Sequence, residues 1–318
     1  MNPNTPPKFD LHELKSLDPQ MKYRPNHIFV LKDGRIAVCE SGRQFKVFDP
    51  RNDYHCDISL NDDTNTKLLP YNGFVLPNDH VICELSKDPT VIIRNFLNKE
   101  YENVFSFKPH GDDRVYSIEL ISNGRFATSG GPTIKIWNSS PPYSATPLQV
   151  INDPENKDIK ELIYFSKHDV LLSKSIHVGE KECDFTCYKV RKWDMKTLTC
   201  TGEYMDWGDS IVFPMNDDTA IWGGFLIDVK TMKKNSSEKK TNFPVYCVYR
   251  VGDEVLIPEH YGKGIIRRFN IHTFKEKGIV NTTHTDSIRD IRKVSDETIA
   301  TLGEDGVIKI WKLLEFLQ

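Results

Sequence analysis

Short runs in which apolar and polar residues alternate recur along this chain, each bounded by a polar turn. Examples are "IAVCE" at 36–40, "HVICE" at 80–84, "TIKIW" at 133–137 and "VIKIW" at 307–311. Side chains of a strand alternate between its two faces, so these runs, rich in Val, Ile, Thr and aromatics, predict half-buried β-strands. No long stretch has a helical period; "LHELKSL" at 11–17 is compatible with a turn or two of helix. The chain reads as all-β.

The runs themselves repeat. Taking the aromatic Trp311 at the end of "VIKIW" as a landmark, equivalent β-runs end at Phe48, Arg94, Trp137, Trp193, Ile227 and Phe269. Successive intervals are 46, 43, 56, 34, 42 and 42 residues, which gives seven units. Polar turns form a second series and also count seven: "KDG" at 32–34, "PND" at 77–79, "SNG" at 122–124, "SKH" at 166–168, "NDD" at 216–218, "VGD" at 251–253 and "VSD" at 294–296. Each unit reads as strand, tight turn, strand, tight turn, strand and longer link.

One small sheet cannot bury both its faces, whereas seven such sheets packed face to face can, and this pattern predicts a single seven-bladed β-propeller over residues 1–318. The approximate units are 23–53, 70–100, 111–142, 158–198, 208–232, 244–274 and 284–318, with 1–22 as lead-in. The last unit shows three strands and then "LLEFLQ", so its outer strand is expected from the N-terminus. "KFDLHEL" supplies a candidate at 8–14; a short capping helix there is the alternative.

The closing unit resembles a WD repeat of the β-transducin type. His284 before the first strand, Thr301 in the second, Asp305 in the following turn and Trp311 in the third match that family's structural tetrad. The set is chemically coherent, because an imidazole bridges a carboxylate and a hydroxyl while a buried indole N–H needs an acceptor. The third unit keeps His110 and Trp137 but has Gly130-Gly131-Pro132 where the Asp belongs; the fourth keeps "KWD" at 192–194 and the fifth "LIDVKT" at 226–231. The resemblance implies a scaffold or adaptor that holds proteins rather than an enzyme. A substrate receptor of a cullin-type ubiquitin ligase is the alternative, since "FDPR" (Phe48 to Arg51) is similar to the W-D-x-R end of strand three in such receptors.

Composition then narrows the chemistry. Forty-two basic against forty-five acidic residues leave a net charge of −3, which builds in no general attraction to nucleic acid or an anionic membrane. No signal-like segment or apolar span appears, and the seven scattered cysteines suit reduced thiols, so an intracellular location, cytoplasmic or nuclear, is expected. "CDFTC" (Cys183, Cys187) lacks a second pair for zinc, and no metal or cofactor is expected. No H-E-x-x-H, G-x-S-x-G or phosphate-binding loop occurs, so no catalytic residue is assigned; a site at the mouth of the propeller channel is the remote alternative.

Partner binding is expected on the face formed by the links into each unit's first strand and the turns between its second and third. Loops on a rigid scaffold commonly carry function. Candidates are Arg43, Arg114, Tyr116, Lys160, Trp207, Tyr246 and Arg289, residue types common at interface hot spots and suited to an acidic or phosphorylated peptide. Asp112, Asp113, Asp209 and Asp290 are the expected local counter-charges. Two irregular segments stand out: an enlarged link at 174–187 in the fourth unit, expected to project as a hairpin, and the basic "KTMKKNSSEKK" at 230–240, read as a solvated loop.

Overall fold

A computed structural model describes residues 9–21, 25, 27–40, 44–61, 70–85, 88–96, 102–155, 157–177, 187–207, 212–222, 225–234, 245, 247–259 and 262–315. Strand β1 is Phe9–Leu17. Blade 1 follows with β2 (His27–Val30), β3 (Ile36–Glu40), β4 (Gln44–Asp49) and β5 (His55–Asn61), and blade 2 with β6 (Pro70–Val75), β7 (His80–Leu85), β8 (Val91–Asn95) and β9 (Asn103–Phe107). Blade 3 holds β10 (Ser117–Ile121), β11 (Arg125–Gly130), β12 (Thr133–Asn138) and β13 (Gln149–Asn152); blade 4 holds β14 (Asp158–Phe165), β15 (Val170–His177), β16 (Cys187–Asp194) and β17 (Thr199–Trp207). Blade 5 is β18 (Val212–Pro214), β19 (Thr219–Trp222), β20 (Phe225–Asp228) and β21 (Lys233–Lys234); blade 6 is β22 (Tyr249–Val251), β23 (Glu254–Pro258), β24 (Ile265–Asn270) and β25 (Glu276–Asn281). Blade 7 has β26 (Ile288–Lys293), β27 (Thr298–Gly303) and β28 (Ile308–Glu315), with β1 added to it.

These are seven four-stranded antiparallel sheets, the blades of a seven-bladed β-propeller. The strands of a blade are called a to d in their order across the sheet. Strand d lies inside what the sequence reads as the longer link of each unit, because strands such as "EKGIVN" at 276–281 bury only one residue and carry little apolar signal. The chain divides into two compact units: Met1–Leu69 with Tyr246–Gln318, holding blades 1, 6 and 7, and Pro70–Val245, holding blades 2 to 5.

In the first unit, blades 7 and 1 share a core of Leu17, Ile28, Ile36, Val38, Phe48, Ala300, Leu302, Ile308 and Ile310, and blades 6 and 7 share one built around Leu256, Ile266, Ile291, Ile299 and Trp311. The second unit has three such interfaces, joining blades 2 and 3, 3 and 4, and 4 and 5. Burying both faces leaves the a strand with an unpaired edge, and acidic side chains of one blade serve the next. Within the second unit Glu119 Oε1 accepts from Tyr164 N at 3.0 Å and Glu161 Oε2 from Val212 N at 3.3 Å; within the first, Asp290 Oδ2 accepts from Ile28 N at 3.3 Å.

Turns follow the sequence signals. Gly34, Asp79, Asn123 and Gly252 all have positive φ in the turns between strands a and b, a conformation that Gly, Asn and Asp tolerate best. The turns between c and d obey a rule in the pattern Asp/Asn-x-x-Thr. Asp194, Asp228 and Asn270 each accept hydrogen bonds at Oδ1 from the backbone N–H and hydroxyl of the Thr three residues on.

Strand β1 completes blade 7 by pairing with β28 from Phe9↔Glu315 to Leu17↔Ile308, so 9–17 is a strand and not the alternative helix. Its register skips Leu14 between Trp311↔Glu13 and Ile310↔Lys15. The d strands of blades 1, 2, 4 and 6 skip one residue opposite the same landmark positions Phe48, Arg94, Trp193 and Phe269. A strand from the opposite end of the sequence thus copies the bulge of its covalently connected counterparts. Glu13 fastens it, taking hydrogen bonds from Lys309 Nζ at 3.3 Å and from the Thr283 hydroxyl.

The fourth-unit link is shorter than expected. Residues 174–177 and 187 are paired strand, Lys174↔Val190 to His177↔Cys187, because β15 and β16 are longer than the b and c strands of blades 1, 2, 3, 5 and 6; the remainder, 178–186, lies outside the described residues. Of the basic segment 230–240, Lys233 and Lys234 form β21 and 235–240 lie outside the described residues.

If β1 is part of the core, Leu17→Ala, at a site only 6% exposed, lowers stability by about 2–4 kcal/mol. Leu14→Ala, at the 49% exposed bulge position, changes it by less than about 0.5 kcal/mol. Urea denaturation of both variants checks this; equal effects would place the strand outside the cooperative core.

Candidate functional site

The face carrying the links into strand a and the turns between b and c is organised by hydrogen-bond relays. In blade 7, Trp311 Nε1–H donates to Thr301 Oγ1 at 2.8 Å, the Thr301 hydroxyl meets His284 Nε2 at 2.7 Å, and His284 Nδ1 meets Asp305 Oδ2 at 3.0 Å. With the indole donating to Thr301, the hydroxyl proton points to Nε2, which leaves Nδ1–H for the carboxylate. Asp305 also accepts from Thr285 N at 2.9 Å and Val307 N at 3.1 Å, so it holds both the link and the turn. The four residues of the expected tetrad are therefore in one contact chain.

Blade 3 builds the relay without a carboxylate. Trp137 Nε1 donates to Thr128 Oγ1 at 2.9 Å, which meets His110 Nε2 at 2.9 Å, and Nδ1 meets Thr133 Oγ1 at 2.8 Å, whose hydroxyl donates to Gly130 O at 3.0 Å. Thr133 replaces the missing Asp of the Gly130-Gly131-Pro132 turn. A side chain at Gly130 would place its Cβ 2.6 Å from the His110 ring, so the imidazole requires glycine there. Burial, with the nearby Lys135 charge acting in the same direction, pushes the His110 imidazole down to about 4.

Blade 4 has no histidine in this role. Trp193 Nε1 donates to Ser173 Oγ at 2.8 Å, and the incoming link is held by the fully buried Asp153, which pairs with Arg191. Arg191 also binds Glu155, and Lys189 lies 3.6 Å from Glu155 and 3.5 Å from Glu203. A buried charge needs such partners to remain charged.

On this scaffold three predicted partner-binding residues occupy one equivalent position. Ser117 pairs with Ser129, Glu161 with Lys174 and Asp290 with Leu302, at matching places in strand b, and the residues just before them are Tyr116, Lys160 and Arg289. Lys160 and Arg289 are the skipped residues of bulges in β14 and β26, which turns their side chains out of the ladder. In the second unit the positions of blades 3 and 4 meet: Lys160 Nζ sits 3.4 Å from the centroid of the Tyr116 ring and Arg114 Cζ at 5.6 Å. Lys160 is also 3.1 Å from Asp158 Oδ2.

Within reach of the Arg114 charge, on β7, lies Glu84, 4% exposed, with an Oε2 that has no hydrogen-bond partner among the described residues. Burial pushes its carboxyl up to about 7, opposed by the nearby Arg114 charge. Sequence reasoning missed Glu84; its one signal is an acid ending the apolar run "HVICE".

The other candidates are placed differently. Arg289 lies in the first unit and pairs with Glu304 at 3.1 Å. Asp290, expected as a counter-charge on the surface, is buried against Arg292 and serves the edge of blade 1 instead. Asp112 pairs with Lys108 at 3.2 Å. Trp207 is the last residue of β17, paired with Cys187, and not part of a link, because strand d of blade 4 runs further than the sequence suggests. Arg43, Tyr246 and Asp209 lie outside the described residues. Arg51 folds back on Asp49, with Nη2 to Oδ2 at 2.7 Å, and this hydrogen-bonded guanidinium holds the Asp49 carboxyl down to about 2.

A family model, WD domain, G-beta repeat, matches residues 101–138. The matched stretch runs from strand d of blade 2 through a, b and c of blade 3, and so contains the His110 relay, Arg114 and Tyr116. No curated protein matches the chain.

A histidine whose folded value is depressed leaves stability intact above its ordinary range near 6.5 and loses it as the pH falls, since only the unfolded chain takes up the proton freely. His110 accordingly costs on the order of 3 kcal/mol between pH 6.5 and 4. Unfolding free energies from urea denaturation at pH 7 and pH 4 are expected to differ by that much less in His110→Asn than in the parent protein; identical pH profiles would contradict a neutral buried imidazole.

Proposed function

The chain belongs to the WD-repeat β-propeller family, and from that premise we propose that it is a non-catalytic scaffold whose partner docks on the Arg114–Tyr116–Lys160 cluster. Propellers of this family generally bind other proteins and are generally not enzymes. The partner is an acidic or phosphorylated segment, and the setting is an intracellular assembly.

The observation that carries this reading is the meeting of two cations on one tyrosine ring, with Lys160 at 3.4 Å and Arg114 at 5.6 Å. Tyr and Arg are frequent anchors of interfaces, and a ring held between cations loses little freedom on binding. The relay in blade 3 fixes the link that presents Arg114, so the cation is positioned in advance. An arriving carboxylate or phosphate completes charge-assisted hydrogen bonds to the guanidinium while the ring contributes apolar contact.

Affinity purification with quantitative mass spectrometry tests it. Arg114→Ala and Tyr116→Ala are expected to lower recovery of the same partners by about tenfold or more, the effect of removing a hot-spot side chain. Unchanged recovery with both variants folded would exclude this face.

A further inference from the structure

Glu84 stands near the end of β7, paired with Val91 of β8. Val91 belongs to the core shared by blades 2 and 3, and so does Val115, the residue between Arg114 and Tyr116. This packing sets the carboxyl of one blade beside the link that enters the next. Its two sides meet different surroundings: Glu84 is 4% exposed, whereas Arg114 is exposed and reaches the Tyr116 ring at 5.6 Å.

Two opposed influences act on the Glu84 carboxyl. Burial favours the neutral acid, the Arg114 guanidinium favours the carboxylate, and burial prevails, so that the group changes charge at about 7. The neighbouring titratable groups behave differently. Cys83, next to it on β7, stays a thiol because burial pushes it up to about 12, against the pull of Arg94. Glu119 on β10 is raised to about 8 by burial, but its Oε1 accepts from Tyr164 N of β14 at 3.0 Å and the charge beside it is Glu161.

Arg114 therefore belongs both to a buried carboxyl and to the docking cluster. An anion arriving at the guanidinium cancels the field that favoured the Glu84 carboxylate and brings a like charge towards it. Both effects make Glu84 hold a proton more readily. By linkage, the cluster with a neutral Glu84 binds an anion more tightly than the cluster with an ionised one.

We propose that an acidic or phosphorylated segment docks on the Arg114–Tyr116–Lys160 cluster together with a proton taken up by Glu84. This rests on the docking reading above and makes Glu84 the residue that sets the charge preference of that site. Affinity for an anionic segment is highest below pH 7, where the carboxyl is already neutral. It falls as the pH rises through 7 and levels off once docking no longer brings a proton.

The test uses the full chain and a rhodamine-labelled, capped Asp-Glu-Asp-Glu peptide, whose carboxylates stay ionised from about pH 6 to about pH 9. Fluorescence anisotropy is expected to show Kd rising about three- to tenfold over that range in the parent protein, as when docking raises the Glu84 pKa by about 0.5 to 1. Glu84→Gln is expected to keep the parent's low-pH affinity throughout, and Arg114→Ala to weaken binding by about tenfold or more. A second measurement needs no variant: the ¹³C carboxyl signal of Glu84, assigned through its side-chain correlations, is expected to titrate at about 7 in the free chain and higher with saturating peptide. Binding that requires Arg114 but has the same pH profile in the parent and Glu84→Gln, or leaves the carboxyl midpoint where it was, would overturn the proton link and leave the docking reading standing. No binding by the parent, or binding indifferent to Arg114→Ala, would overturn both.

Discussion

The pairing of Phe9–Leu17 with Ile308–Glu315 is the interaction on which the first unit depends. Without β1 the outer edge of β28 would present a row of unpaired N–H and C=O groups, and Trp311 and Ile310 would lose the neighbour that screens their edge. The pairing is specified beyond simple alternation. The skipped Leu14 falls at the place where the covalently linked d strands of blades 1, 2, 4 and 6 skip a residue, and Glu13 then reaches Lys309 and Thr283. The same substitution of a distant strand for a neighbouring one removes the turn between c and d, and β28 instead continues as paired strand to Glu315.

Inside the blades the recurring theme is neutral hydrogen bonding under burial. In blades 3, 4 and 7 a Trp N–H and a hydroxyl, and in two cases an imidazole, form a directed chain in which the indole donor finds an acceptor. What ends the chain varies: Asp305 in blade 7, Thr133 in blade 3, and in blade 4 no imidazole at all but the Asp153–Arg191 pair. A carboxylate terminus brings charge and so an attraction for His284, yet burial still dominates and lowers its pKa, as it does more fully for His110. The relay is therefore a fastening for the link and turn, and the positions next to it on the same link are free to carry other chemistry.

Much of this was legible in the sequence because strands announce themselves by alternation and turns by Gly, Asn and Asp. The landmark residues Phe48, Trp193 and Trp311 turn out to mark one structural position, and "KFDLHEL" marks the closing strand. The d strands were not legible: "NVFSF" and "EKGIVN" cover an edge with one face exposed, so they need few apolar residues. The extent of β15 and β16 was hidden for the opposite reason, since Lys174 falls in the expected link at 174–187 but is buried in strand near Glu161, as Lys189 and Arg191 beyond it are buried by partners remote in sequence. Arg43 and Tyr246 lie outside the described residues. The contact of Tyr116 with Lys160 was beyond sequence reasoning, because it joins residues 44 positions apart through the packing of two blades.

Equivalence of position explains how a repetitive fold acquires a particular surface. Tyr116, Lys160 and Arg289 all stand one residue before an acidic or hydroxyl residue of strand a, Ser117, Glu161 and Asp290, that is paired at the same place in strand b. Those inner residues are constrained: Ser117, Glu161 and Asp290 each accept a backbone N–H of the following blade, Leu162, Val212 and Ile28 respectively. The residue before them has no such duty, and at β14 and β26 a bulge turns it outward. The fold thus fixes one residue and releases its neighbour in each blade. Chemistry that does not repeat, an aromatic ring in blade 3 and a lysine in blade 4, accumulates at the released positions, and packing brings these two to 3.4 Å. A partner reading that cluster therefore reads the pairing of two blades, information that neither repeat contains by itself.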